Sequence, residues 1–185
     1  MNNLYQQRSS MSKILIVNYG LGIGGSEKLV YELACFALKN GIQPTILLPN
    51  NYSQEYYDPI LKKMGATIVR TRLDELRLLR NPLNIFKALY WKIKLLYFGN
   101  RYNAVHIVNL HMAEKVKHLI NNSKRYYWHV VSTIQFPGNK LNISPALFDD
   151  PNDTVVFIDD LQVHEIAQQY GDIKCNKMRF KLFLN

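Results

Sequence analysis

The sequence predicts an α/β domain built on a doubly wound parallel sheet of about six to seven strands. Short β-branched apolar runs alternate with helical patterns along most of the chain. The runs are continuous rather than period-two, as in strands buried on both faces. The first run passes directly into a glycine-rich turn and then a helix.

The 185 residues suit one domain. Residues 1–12 are polar and read as a disordered leader, and 13–185 as the domain. Lys13–Asn18 is the first strand. Ser26 is expected to cap a helix from Glu27 to about Asn40, with Val30, Leu33, Ala34, Ala37 and Leu38 inward and Gly41 ending it. Thr45–Pro49 is the second strand, Ser53–Met64 a helix closed by Gly65, and Ala66–Thr71 the third strand. Pro82 opens a long helix to about Gly99. Ala104–Asn109, Tyr126–Ile134, Thr154–Ile158 and Lys177–Phe183 complete the strands. Helices are expected over Met112–Asn121 and Asp160–Tyr170, the latter capped by Asp160 and ended by Gly171.

Ligands of such sheets bind outside the carboxyl ends of the strands, which directs attention to the turn Gly20–Gly25. Glycine permits φ > 0 and removes the Cβ that keeps a phosphate at a distance. The helix that follows offers unpaired N–H groups and the positive end of its dipole. Gly20, Gly22 and Gly25 match G-x-G-x-x-G, yet the acid that holds a dinucleotide's ribose is missing: Pro49, Asn50 and Asn51 follow the second strand. The P-loop pattern fails, because no Lys-Ser/Thr follows Gly25.

The string Gly24-Gly25-Ser26-Glu27, Leu33-Ala34 in the helix and Lys39-Asn40-Gly41 at its end resemble the start of GT-B glycosyltransferases of the family 4 type. Asn103–Ile107, Thr154–Tyr170 and Lys177–Asn185 resemble later segments of the same half. The resemblance implies a Rossmann-like acceptor-binding domain of a retaining enzyme. Such an enzyme moves a sugar from a nucleotide-diphosphate donor to a glycan or lipid-linked acceptor, as in cell-envelope polysaccharide synthesis. It implies that Gly22, Gly24 and Gly25 face the donor phosphates and that Tyr19 and Asn109 lie in acceptor-side loops. It also implies that the C-terminal nucleotide-sugar domain is absent from these residues, so that the chain alone is inactive. The family's histidine after the fifth strand is replaced by Gln135, with His111 after the fourth strand as a second candidate for contact with the sugar. No metal or cofactor is implied. A stand-alone NAD-type domain and a non-enzymatic module for anionic membranes remain as alternatives.

The net charge is +9, and eight Lys/Arg stand between Arg70 and Arg101 against Asp74 and Glu75. Such a surface attracts anions. On the helix after Pro82, Phe86, Leu89, Tyr90, Ile93 and Tyr97 are expected to pack on the sheet. Lys87, Trp91, Lys94 and Phe98 form a second, basic-aromatic face suited to an anionic membrane surface. The basic segment matches no nucleic-acid motif. Without a signal peptide or spanning segment, the sequence reads as cytoplasmic and peripheral on the inner face of the membrane. Cys35 and Cys175 have no metal-ligand spacing, and Cys35 reads as a core residue. His106 and His129 read as buried structural histidines, and Glu27 as a residue that fixes the turn.

Overall fold

The computed structural model describes residues 12–49, 54–71, 82–98, 101–120, 124–130 and 141–180. The elements are β1 (Lys13–Val17), α1 (Gly25–Lys39), β2 (Gln43–Leu48), α2 (Asp58–Lys63), β3 (Thr67–Arg70), α3 (Pro82–Phe98), β4 (Ala104–Val108), α4 (Leu110–Val116), β5 (Lys124–His129), β6 (Thr154–Phe157), α5 (Asp160–Tyr170) and β7 (Asn176–Arg179). The seven strands form one sheet in the order β3-β2-β1-β4-β5-β6-β7, and all neighbours are parallel. The order runs outward from β1 in one direction and from β4 in the other. This is a doubly wound, Rossmann-like α/β sheet. The expected leader lies outside the described residues.

Alternate residues of the central strands feed two cores. Leu15 and Val17 join Val105, Ile107, Val116 and Ile166 on the side of α4 and α5. Ile14 and Ile16 join Leu29, Val30, Ala34 and Leu61 on the side of α1 and α2. Burial on both faces is why the strands read as unbroken apolar runs. Cys35 is buried in α1, and burial pushes the buried Cys175 thiol up to about 11, away from the reactive thiolate.

Several boundaries differ from expectation. α1 begins at Gly25 with Gly24 as its cap, so Ser26 lies inside the helix and caps nothing. Asp159, not Asp160, caps α5. Its Oδ1 accepts the Gln162 N–H at 2.9 Å, and Gln162 Oε1 accepts the Asp159 N–H at 3.3 Å, a closed capping box. α2 is one short helix, and α4 starts at Leu110 before tightening into a 3-10 turn, Lys117–Leu119. Gly41 and Gly171 take φ of 69° and 67° just past α1 and α5, as helix-ending glycines do.

The largest departure is α3. The face expected to pack on the sheet points outward: Phe86 is 70% exposed and Tyr97 76%, with Leu89, Tyr90 and Ile93 also exposed. The inward residue is Leu95, which joins the core beside α4. The physical reason is that the sheet face is shared with α4. α4 covers β4 and β5, and α3 packs on the turn Lys117–Leu119 that follows it.

At the amino end of β5 and β6 lies a buried ionic cluster that no local motif announces. Arg125 donates from Nε to Asp153 Oδ1 and from Nη2 to Asp150 Oδ2, both at 2.6 Å, and from Nη1 to the Ile120 carbonyl at 3.0 Å. Tyr127 donates its hydroxyl to Asp153 Oδ2 at 2.6 Å, and Lys117 Nζ stands 3.3 Å from the same oxygen. Burial alone would lower the Arg125 guanidinium, but the bond to Asp153 and the surrounding charges raise it. Burial, then the bond to Asp153, pushes the Tyr127 hydroxyl far up. With each polar group partnered, the cluster locks β5 and β6 to the segment between them.

Candidate functional site

The order of the sheet reverses between β1 and β4, and ligand crevices of such sheets open there. Two loops flank the reversal: Asn18–Gly24 after β1, and Asn109 after β4. Val17 pairs with Ile107, and extending that register sets Tyr19 beside Asn109. Lys115 Nζ of α4 lies 5.9 Å from the centre of the exposed Tyr19 ring, so the two walls approach each other.

The turn is braced from within. Asn18 is buried and donates Nδ2 to the Gly20 carbonyl at 2.9 Å. Leu21, fully buried, donates its N–H to Glu55 Oε2 at 2.9 Å and accepts the Tyr57 N–H at 2.9 Å. Glu55 is held in turn by Arg70, at 3.2 and 3.1 Å, and Arg70 also bonds Asp58 at 2.5 Å. The turn is thus tied to the loop before α2 and to the edge strand β3. Sequence reasoning missed Glu55, which lies 34 residues from its partner and carries no local signal.

The four glycines divide into two pairs. None takes a positive φ, contrary to expectation; among the described residues that region holds only Gly41, Gly65, Gly171 and Asn109. A Cβ on Gly20 would stand 2.7 Å from Glu55 Oε1, and one on Gly24 would collide with the Glu27 carboxylate. Those two glycines serve close packing inside the turn. Gly22 and Gly25 have nothing within 4 Å of a would-be Cβ, so the backbone there is open to an approaching group. Glu27 curls back over the start of α1, in keeping with a turn-fixing role.

Asn109 has φ 93° and ψ 119°, a conformation that L-residues rarely adopt. It is over-determined. Its N–H donates to the Trp128 carbonyl at 3.1 Å, its carbonyl accepts from Met112 N at 3.0 Å, and its Oδ1 accepts from His111 N at 3.0 Å. Backbone strain of this kind, about 1–3 kcal/mol, gathers at functional sites. His111 is exposed and lines a cavity of about 660 Å³ with Glu114, Lys115, Asn142, Ile143 and Ser144. Tyr19, Asn109, His111 and the open glycines therefore border the same edge of the sheet. Gln135 lies outside the described residues, as do the side chains of Lys87 and Phe98; Trp91 and Lys94 are half-buried on α3. Among the described residues no cluster could hold a metal ion, and no helix is long and apolar enough to cross a membrane.

Two further histidines, His129 and His106, are structural. His129 is buried at the end of β5, 2.8 Å from Glu165 Oε2. Burial lowers its imidazole below the ordinary value, and the bond to Glu165 offsets this in part. His106 stacks on Tyr126 and accepts Trp128 Nε1–H through Nδ1 at 3.2 Å, and burial brings it down to about 4. The sign follows: the unfolded chain takes up a proton below about pH 6.5 that the folded chain refuses. Stability from this group is complete above that pH and is lost as pH falls through 4, by up to about 3 kcal/mol. Urea unfolding at neutral pH and near pH 4.5 is expected to show a smaller acid loss in His106→Gln than in the wild type. Equal losses in both proteins would remove His106 as the cause.

Comparison with models of known protein families finds no match, and comparison with curated proteins finds none either. The fold defines a class, a Rossmann-like α/β domain whose first strand runs through a glycine turn into a helix.

Proposed function

We propose that the chain is the acceptor-side half of a retaining glycosyltransferase of the GT-B family 4 type. In this reading it helps move a sugar from a nucleotide-diphosphate donor to a glycan or lipid-linked acceptor. The observation that carries the reading is the turn itself. Gly22 and Gly25 keep open backbone at the carboxyl end of β1, directly before the N-terminus of a 15-residue helix. The Glu27 carboxylate sits against Gly24, so the phosphate role narrows to Gly22 and Gly25. His111, Tyr19 and Asn109 face the acceptor side, where His111 orients a sugar hydroxyl by hydrogen bonding. A nucleotide-sugar domain, supplied outside these residues, forms the other wall. A lipid-linked acceptor puts the protein peripherally at the inner face of the cytoplasmic membrane.

Calorimetry on the chain checks the half-site picture. Nucleotide sugars are expected to bind weakly, with Kd on the order of 1 mM, since one wall supplies part of the interaction. Sub-micromolar binding would overturn the half-site. Tight NADH binding, read by nicotinamide fluorescence, would replace the transferase reading with the dinucleotide one.

A further inference from the structure

We infer that α3 seats this protein on an anionic bilayer, and does so through the apolar face that its sequence assigns to the sheet. At about 100° per residue, Leu96, Leu89, Ile93, Phe86, Tyr97 and Tyr90 fall in that order around an arc of roughly 120°. All six are exposed, on a helix of 17 residues. A contiguous apolar strip of this kind marks an interaction surface.

The rims identify the occupant. Beyond Tyr90 come Leu83 and then Lys94 at one border, and beyond Leu96 come Ile85 and then Lys92 at the other. The Lys94 ammonium lies 5.5 Å from the Tyr90 ring centre and 4.5 Å from that of Trp91. No acidic residue occurs anywhere in Pro82–Phe98. An apolar arc with lysines on both borders matches a helix lying in the headgroup plane: the arc enters the acyl boundary, and the ammonium groups meet anionic headgroups. Tyr and Trp favour that same depth. A second copy of this chain is a poor occupant, because a two-fold contact through this face brings lysine rims together.

The inference deepens the membrane part of the proposal above without depending on sugar transfer, and vesicle binding is read separately from transfer. The chain is sedimented with phosphatidylcholine vesicles and with vesicles carrying about 30 mol% phosphatidylglycerol, at about 0.1 M salt. Binding is expected to the anionic vesicles and to weaken at high salt. Lys92→Glu with Lys94→Glu is expected to lower partitioning by at least about tenfold. Ile93→Asp or Phe86→Ser is expected to abolish it with circular dichroism and melting unchanged, since both side chains are exposed. Absence of vesicle binding, or equal binding by Ile93→Asp, would overturn the inference. So would a wild-type dimer in light scattering that Ile93→Asp dissolves without vesicle binding, which would assign the face to a second copy.

Discussion

Arg125→Met is expected to destabilise the domain by about 3–5 kcal/mol, the cost of breaking a buried charge pair from one side. The substitution keeps side-chain volume but leaves the Asp153 carboxylate, 1% exposed, without its shortest cationic partner. It also strips the Ile120 carbonyl of its donor. Lys117, at 3.3 Å, compensates in part only, because its ammonium is also bound to the Leu147 carbonyl at 2.9 Å. With domain stabilities of about 5–15 kcal/mol, the variant approaches the unfolding threshold. The urea midpoint should fall steeply with the slope unchanged. The triple variant Arg125→Met, Asp153→Leu, Tyr127→Phe removes the stranded carboxylate and the hydroxyl bonded to it, and is expected to recover most of the loss. A loss below about 1 kcal/mol in the single variant would show that water reaches the cluster.

The second large effect concerns the turn and separates folding from chemistry. Gly25→Ala meets nothing within 4 Å and falls at the first position of α1. Its thermal stability should hold, or rise by up to about 1 kcal/mol from helix propensity. In the complete enzyme that the proposal requires, glycosyl transfer should nonetheless fall about 100-fold, because the added methyl holds the donor phosphates off the backbone. Gly20→Ala should behave in the opposite way. It displaces a Glu55 that Leu21 and Arg70 hold in place, and about 1–3 kcal/mol of stability goes with it. Unimpaired transfer by Gly25→Ala would end the phosphate role of the turn.

The architecture was legible because burial on both faces leaves a coarse, durable signal. Runs such as Lys13–Val17 and Thr154–Phe157 fall within a residue of the expected strands. α3 shows where that signal fails. Trp91 and Leu95 add apolar residues to the side opposite its exposed arc, so the pattern alone does not say which side turns inward. Its orientation is set by tertiary contact: Leu95 joins the core beside α4 and the turn that follows it. The site was legible in part. Glycines at the end of the first strand announce a close-approach turn, but which of them are open depends on Glu55 and Glu27, and Glu55 arrives from another loop. The left-handed Asn109 has no sequence signature beyond the tolerance of asparagine for that region.

The parallel order of the strands bears on how the crevice comes into being. Every strand pair needs a crossover, so none can zip as a hairpin. The pair that frames the crevice is also the most remote in sequence: Ile14 lies against Ala104, and Lys13 N–H reaches Asn103 Oδ1 across 90 residues. Loop closure over that span carries the largest entropic cost in the sheet, and non-local pairing is what slows folding. The crevice is therefore completed when the two halves of the sheet dock. Its two walls come from the two halves of the sheet, and the edge proposed above for binding is the seam between them.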